Sequence, residues 1–174
     1  SRTFQNVRLF REMTVWENVW LGQSCQAKYL QPTFWRRGVD ESGMRVEVET
    51  LLHKFNLWPK KDAKASELAF GDMRRLEICR ALSTNPELLL LDEPASGLSP
   101  VETTHLMNDL GQLSDAGVTI ILIEHDMNVA MGLSDRVVVL NFGKLLAEGT
   151  PADIRANKTV IEAYLGSAAG TAHA

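Results

Sequence analysis

The sequence is poor in several features, and each scarcity narrows the reading. It holds two cysteines among 174 residues, Cys25 and Cys79. They form no C-x-x-C, so a pair of that spacing is excluded and two buried free thiols in a reducing compartment are expected. No apolar run nears the roughly 18 residues that a membrane-spanning helix needs. Positive charge is not in excess: 18 Lys and Arg face 22 Asp and Glu, a net charge of −4. That balance disfavours a free nucleic-acid-binding module, and no nucleic acid is expected among the partners. Internal repeats and low-complexity blocks are lacking. So is a charged-then-apolar leader at the start. The chain opens on Ser1 rather than Met, the expectation for a cleaved, trimmed or truncated product.

What is present is ordinary globular material. Hydrophobic residues make up 45% and charged residues 23%, close to the average for folded domains. One domain is expected, two at most, with enough apolar content for a sizeable core.

Local patterns give the elements. Thr14-Val15-Trp16-Glu17 matches a capping box and opens a helix to about residue 30, broken by Gln31-Pro32-Thr33. Met44, Val48, Leu51, Leu52 and Phe55 follow helical spacing over 41–55. Lys60-Lys61-Asp62 reads as a solvated turn. A third helix is expected over 70–84, ended by Asn85-Pro86. Two apolar strands, 88–91 and 118–123, flank a helix over 101–114. That βαβ pattern argues for a parallel sheet covered on both faces. Residues 137–141 and 145–147 read as two more strands joined by a tight turn at Phe142-Gly143. A short helix starts at Pro151 and another ends near Gly166. The organisation is lopsided: the first 66 or so residues are helical and carry Trp16, Trp20, Trp35 and Trp58, and the rest is α/β. The tryptophans fit core packing or anchors for a partner.

The stretch Leu88-Leu89-Leu90-Leu91-Asp92-Glu93 raises the functional question. Ligands of open α/β sheets sit beyond the carboxyl ends of the strands. Asp92 and Glu93 lie just past one parallel strand, and Glu124 and His125 just past the next. An Asp there can hold Mg²⁺ through water, and a Glu can take a proton from an attacking water. A His can bond a phosphate oxygen. The set fits nucleoside triphosphate hydrolysis, although the acids could also simply cap the following turn. Upstream, Leu68-Ala69-Phe70-Gly71-Asp72 precedes a helix, where backbone N–H groups and the helix dipole can face an anion; an ordinary turn would look the same.

Together these stretches resemble the ABC ATPases, nearly from end to end. Thr3-Phe4-Gln5-Asn6 is similar to the Q-loop, and 68–72 followed by Met73-Arg74-Arg75-Leu76-Glu77-Ile78 to the signature motif. Residues 88–93 resemble Walker B with Glu93 as catalytic glutamate. Ser96-Gly97-Leu98-Ser99 resembles the D-loop, and His125 the switch histidine. The wording of 2–10, 149–154 and 161–166 is similar to the importers of branched-chain amino acids, and relatives that move urea, short amides or lipopolysaccharide share much of it.

The resemblance implies a P-loop NTPase-type parallel sheet core with an α-helical subdomain. Its parts would be a Q-loop and linker (1–13), a helical subdomain with the signature (14–84), the C-terminal part of the ATP-binding core (85–166) and a disordered tail (167–174). Two such ATPases would sandwich two ATP molecules, with Leu68, Ala69, Phe70, Gly71 and Asp72 acting in trans. Asp92 and Gln5 would position Mg²⁺, Glu93 would deprotonate the attacking water, and His125 would contact the γ-phosphate. A groove near Gln5 would take a coupling helix of a membrane permease. The chain would then be peripheral to the cytoplasmic face of the inner membrane, partnered by a second ATPase and permease subunits.

Some of the pattern is absent. No G-x-x-x-x-G-K-[ST] run exists; Gly143-Lys144 comes nearest and reads as a hairpin turn. In the family that loop precedes the Q-loop, so the sheet core is expected to be incomplete, with an open edge prone to aggregation, and these residues alone are expected to bind ATP weakly and not to turn it over at a useful rate. Ala69 stands where the signature usually has Ser, Asp72 where it has Gln, and Ser99 where the D-loop has an acid. Three rival readings follow: an SMC-type DNA-associated ATPase, which sustained heptads would reveal; a translation-factor ATPase, which a second signature would reveal; and a non-enzymatic remnant that only binds partners.

Overall fold

The structure, a computed structural model, describes residues 9–29 and 41–169. Gln5, Trp35, the break at Gln31-Pro32-Thr33 and the last five residues lie outside them. The chain divides into two compact units, Ser1–Glu124 and His125–Ala174.

In the first unit, helix α1 spans Val15–Tyr29. Its capping box is formed as the sequence implies. The Thr14 N–H donates to Glu17 Oε2 at 2.7 Å, and the Glu17 N–H to Thr14 Oγ1 at 3.1 Å. Helix α2 spans Glu41–Lys54 and α3 spans Phe70–Leu82; α1 packs on both. Val15, Val19, Val48, Leu52, Phe55, Leu57 and Leu76 are fully buried, so the apolar stripe of α2 faces the core as its spacing predicts. The turn at Lys60-Lys61-Asp62 is not wholly solvated, because Lys60 pairs with Asp72 in the first turn of α3.

The described tryptophans are neither core nor free. Trp16 and Trp20 are half-buried and stack at 4.9 Å between ring centroids, with the Arg45 guanidinium 5.7 Å from each. Trp58 stacks on His53, also at 4.9 Å.

Strand β1 (Leu88–Asp92) leads through helix α4 (Pro100–Asp115) to strand β2 (Thr119–Ile123). The strands pair in parallel, Leu88 with Thr119 through Asp92 with Ile123. Coverage is less complete than the sequence predicts. Leu89 and Leu91 are buried, but Ile121 and Ile123 are 50% and 56% exposed. Among the described residues this sheet has two strands, and no other lies beside them to carry a second covering layer.

The second unit opens with α5 (Met127–Leu133), a helix not expected from the sequence. Strands β3 (Val137–Asn141) and β4 (Lys144–Gly149) form an antiparallel hairpin. Phe142 and Gly143 both have positive φ, 46° and 74°, the geometry of a two-residue turn that suits strand twist. Gly143-Lys144 is therefore a hairpin turn, as read. Helices α6 (Pro151–Ala156) and α7 (Lys158–Ala169) follow; α7 continues three residues beyond the expected end at Gly166. Met131, Val139, Ala147, Ile154 and Val160 form this unit's core.

Candidate functional site

Parallel pairing places the carboxyl ends of β1 and β2 side by side. Asp92 is in register with Ile123, so Glu93 and Glu124 follow at the same level of the sheet. The Glu93 N–H extends the ladder by donating to the Ile123 carbonyl at 2.8 Å. Glu93 itself sits at φ +44°. A non-glycine residue there costs about 1–3 kcal/mol and persists only when its surroundings fix it. Here the surroundings do. The Ala95 N–H donates to Glu124 Oε1 at 2.9 Å, and the Ser96 N–H donates to the Glu93 carbonyl at 3.1 Å. Glu124 thus holds the turn that carries Glu93, a role its place after an apolar strand does not reveal. Asp92 and Glu93 are half-buried.

The stretch 68–72 forms the entry to α3. Its N-cap residue, Ala69, makes no side-chain capping bond. The first N–H groups of a helix have no intrahelical partner, and they and the helix dipole attract an anion; here Ala69 and Phe70 are exposed and Gly71 is buried. Asp72 in that first turn is held by Lys60 and by Arg75 at 3.9 Å. Arg75 also pairs with Asp109 of α4 at 3.5 Å. Burial pushes the Asp109 carboxyl up, and the Arg75 guanidinium opposes the shift. The buried Cys79 thiol is pushed well up by desolvation, so it stays protonated and is no nucleophile; the Cys25 side chain lies outside the described residues.

The stretch 96–99 lies against 68–72. A Cβ on Gly97 would lie 3.2 Å from Phe70 Cε1. Ser99 caps α4, and Glu102 completes the box: Glu102 Oε2 accepts from the Ser99 N–H at 2.8 Å and from Ser99 Oγ at 2.7 Å. These bonds, the hydroxyl's first, hold the Glu102 carboxyl below the usual carboxylate range. Between the two stretches is a cleft of about 70 Å³, with Ala69, Gly71, Arg75, Glu102 and His105 among its walls. Sequence reasoning missed Glu102, although Ser99-Pro100-Val101-Glu102 has capping-box spacing. Nothing local announces the pairing of Arg75 with Asp109.

The segment after the expected Q-loop is also tied in. Thr14 bridges Lys64, the Ala65 N–H donates to the Met13 carbonyl at 2.9 Å, and the Ser66 N–H to the Arg11 carbonyl at 3.0 Å. The chain leaving the Q-loop therefore runs beside the chain entering 68–72. Asn18 is fully buried and exchanges bonds with both backbone groups of Phe10, each at 3.0 Å. Gln5 lies outside the described residues. His125 is exposed and begins the second unit, so its approach to Glu93 stays an expectation of the sequence.

Oxygen donors of the Asp92 type suit Mg²⁺, which commonly takes one or two carboxylates and completes its shell with phosphate and water. Among the described residues no three His, Cys, Asp or Glu side chains cluster to cage a metal, and that mode of binding needs none.

Residues 1–96 match a family model described as ABC transporter. Residues 144–170 match one described as branched-chain amino acid ATP-binding cassette transporter. The chain is 49% identical to the Escherichia coli K12 high-affinity branched-chain amino acid transport ATP-binding protein LivG, over 96% of this chain and 68% of the relative. The solved ADP conformation of MJ1267, an ATP-binding cassette of an ABC transporter, superposes with a TM-score of 0.77 at 32% identity, over 95% of this chain and 67% of that one. A dimeric post-hydrolysis structure of the ATP-binding cassette MJ0796, bound to ADP and Pi, gives 0.71 at 28% identity, over 86% and 62%.

Proposed function

The chain belongs to the ABC transporter family of ATPases, and on that premise we propose that it serves an importer of branched-chain amino acids. The observation that carries the reading is the constrained turn at Glu93. A carboxylate at the end of a parallel strand, on a left-handed residue fixed from β2 through Glu124, is held where a water could be activated. The likeness to LivG supports the choice of solute class.

Roles follow from placement. Glu93 orients and deprotonates the attacking water. Asp92 and Gln5 would hold Mg²⁺, which when bound would supply charge neutralisation for the transferred phosphoryl group. The exposed start of α3 at Ala69 and Phe70 meets the γ-phosphate of the nucleotide bound by a second ATPase subunit, with backbone N–H groups standing in for the hydroxyl that Ala69 lacks. Ser96, Gly97, Leu98 and Ser99 border that contact, and His125 reports the phosphate. Phosphoryl transfer needs positioning and charge stabilisation above all, which suits groups gathered from several loops. The half-buried Trp16–Trp20 pair and the Q-loop exit clamped by Asn18 lie in the helical part, where permease subunits dock. The subunit then works at the cytoplasmic face of the inner membrane. No helix among the described residues is long and apolar enough to cross a membrane.

The 174 residues hold no G-x-x-x-x-G-K-[ST] run, so the test uses the full gene product with its permease in proteoliposomes. ATP inside should drive uptake of a labelled branched-chain amino acid presented with its binding protein. ATP-driven uptake of a urea or amide substrate, without any of leucine, isoleucine or valine, would replace this reading with a related one.

A further inference from the structure

Glu102 makes more contacts than a helix cap requires. Its Oε2 serves the cap on Ser99. The other side of the same carboxylate faces the buried Gly71: a Cβ built there would collide with Glu102 Oε1, lie 3.0 Å from its Cδ and 3.3 Å from its Cγ. One side chain therefore touches both 68–72 and 96–99. The two stretches meet a second time where the Phe70 ring lies over Gly97, whose φ is +78°. A third tie, Arg75 to Asp109 at 3.5 Å, joins α3 to α4 farther from the loops. We propose that Glu102 is a positioning residue that sets the register between 68–72 and 96–99, so that both meet the partner subunit's nucleotide as one surface. This rests on the reading that 68–72 acts on that nucleotide.

The chain contains its own control for capping alone. Asp153, one methylene shorter, forms the same box with Thr150: Asp153 Oδ2 accepts from the Thr150 N–H at 3.0 Å and from its hydroxyl at 2.7 Å. Glu102→Asp should therefore keep the cap on α4 while withdrawing the carboxylate from Gly71. Glu102→Gln keeps length, shape and an acceptor oxygen, and Gln is equally a capping-box residue.

The experiment measures ATP hydrolysis against ATP concentration by the full gene product assembled with its permease, together with its thermal midpoint. A fluorescent ATP analogue reads nucleotide binding to the isolated subunit. Glu102→Asp is expected to lower kcat by about tenfold, with midpoint and analogue binding unchanged, because removing a positioning contact acts on the step that joins two subunits. Glu102→Gln is expected to stay within about threefold of the parent, the range left when shape and acceptor are kept. Turnover within twofold for Glu102→Asp would overturn the inference and leave Glu102 as a cap only. Ala69→Asp, which adds a carboxylate at the exposed N-cap of α3 without touching the Glu102–Gly71 contact, tests the nucleotide reading separately. If it lowers turnover while Glu102→Asp does not, the nucleotide reading stands and the inference falls. If neither has an effect, both fall.

Discussion

Glu124 Oε1 accepts a hydrogen bond from the Ala95 N–H at 2.9 Å, and this bond ties the end of β2 to the turn that carries Glu93. The two residues are 29 apart in sequence. Residue Glu93 is at φ +44°, so the turn needs an external tie to stay in place.

Removing that tie should cost activity more than stability. Glu124→Ala leaves one half-buried N–H unpaired, a loss of about 1–2 kcal/mol. The freed turn lets Glu93 leave its left-handed conformation, and ATPase turnover of the full gene product is expected to drop at least about tenfold. Glu124→Gln keeps an acceptor and should recover most of it. Steady-state ATPase and urea denaturation, run side by side, check both expectations. Equal loss in the Ala and Gln variants would show that charge, rather than the tie to Ala95, matters at 124.

Acid should weaken the fold through its caps. Among the described residues, three carboxyls are held below their ordinary values by N-cap residues. Glu17 is held chiefly by the Thr14 N–H, Glu102 by the Ser99 hydroxyl and Asp153 by the Thr150 hydroxyl. In each case the unfolded chain takes up the proton at a higher pH than the folded one. The contribution is therefore fully present above the ordinary carboxylate range and is lost as pH falls through the lower, folded values. Asp109 has the opposite sign: its carboxyl is raised by burial, so it disfavours the fold at neutral pH and relents on protonation. The urea midpoint should hold steady from pH 7 to about 5 and decline below about 4. Replacing Thr14, Ser99 and Thr150 together with Ala should flatten that decline. An undiminished acid slope in the triple variant would assign it to other carboxylates.

Two helix glycines should respond oppositely to alanine. Gly22 of α1 sits where a Cβ would lie 2.7 Å from the Arg80 carbonyl oxygen, a backbone atom of α3 that cannot swing away. Overpacking of that kind costs about 1–3 kcal/mol, against about 1 kcal/mol gained from better helix propensity, so Gly22→Ala should destabilise. Gly111 of α4 has nothing within 4 Å of its Cβ position, so Gly111→Ala should stabilise by about 0.5–1 kcal/mol. Thermal midpoints of the two variants test the contrast.

Much of this was legible in the sequence where the determinant is local. The Thr14–Glu17 box, the apolar strands before Asp92 and Glu124, and the Phe142-Gly143 turn each need only neighbouring residues. Helix α5 leaves no periodic mark because its seven residues, Met127–Leu133, are too few to show one; Asp126, which accepts from the Asn128 and Val129 N–H groups, is its local sign. The Ser99–Glu102 and Thr150–Asp153 boxes are also local and show as spacings. The tie from Glu124 to Ala95, the pairing of Arg75 with Asp109 and the seating of Glu102 against Gly71 join residues distant in sequence or set by packing, and periodicity carries no trace of them. Exposure of Ile121 and Ile123 likewise depends on how many strands the sheet has, not on the residues of one strand.

The central claim is that Glu93 activates the water that cleaves ATP. The most direct test is Glu93→Gln in the full gene product, with phosphate release and ATP-dependent dimerisation measured on the same sample. The amide keeps the shape of the turn but cannot take a proton. The account predicts turnover reduced by at least about a hundredfold, in line with loss of a general base, and a dimer that persists with ATP bound. Undiminished phosphate release from the Gln variant would contradict it and remove Glu93 from the chemistry.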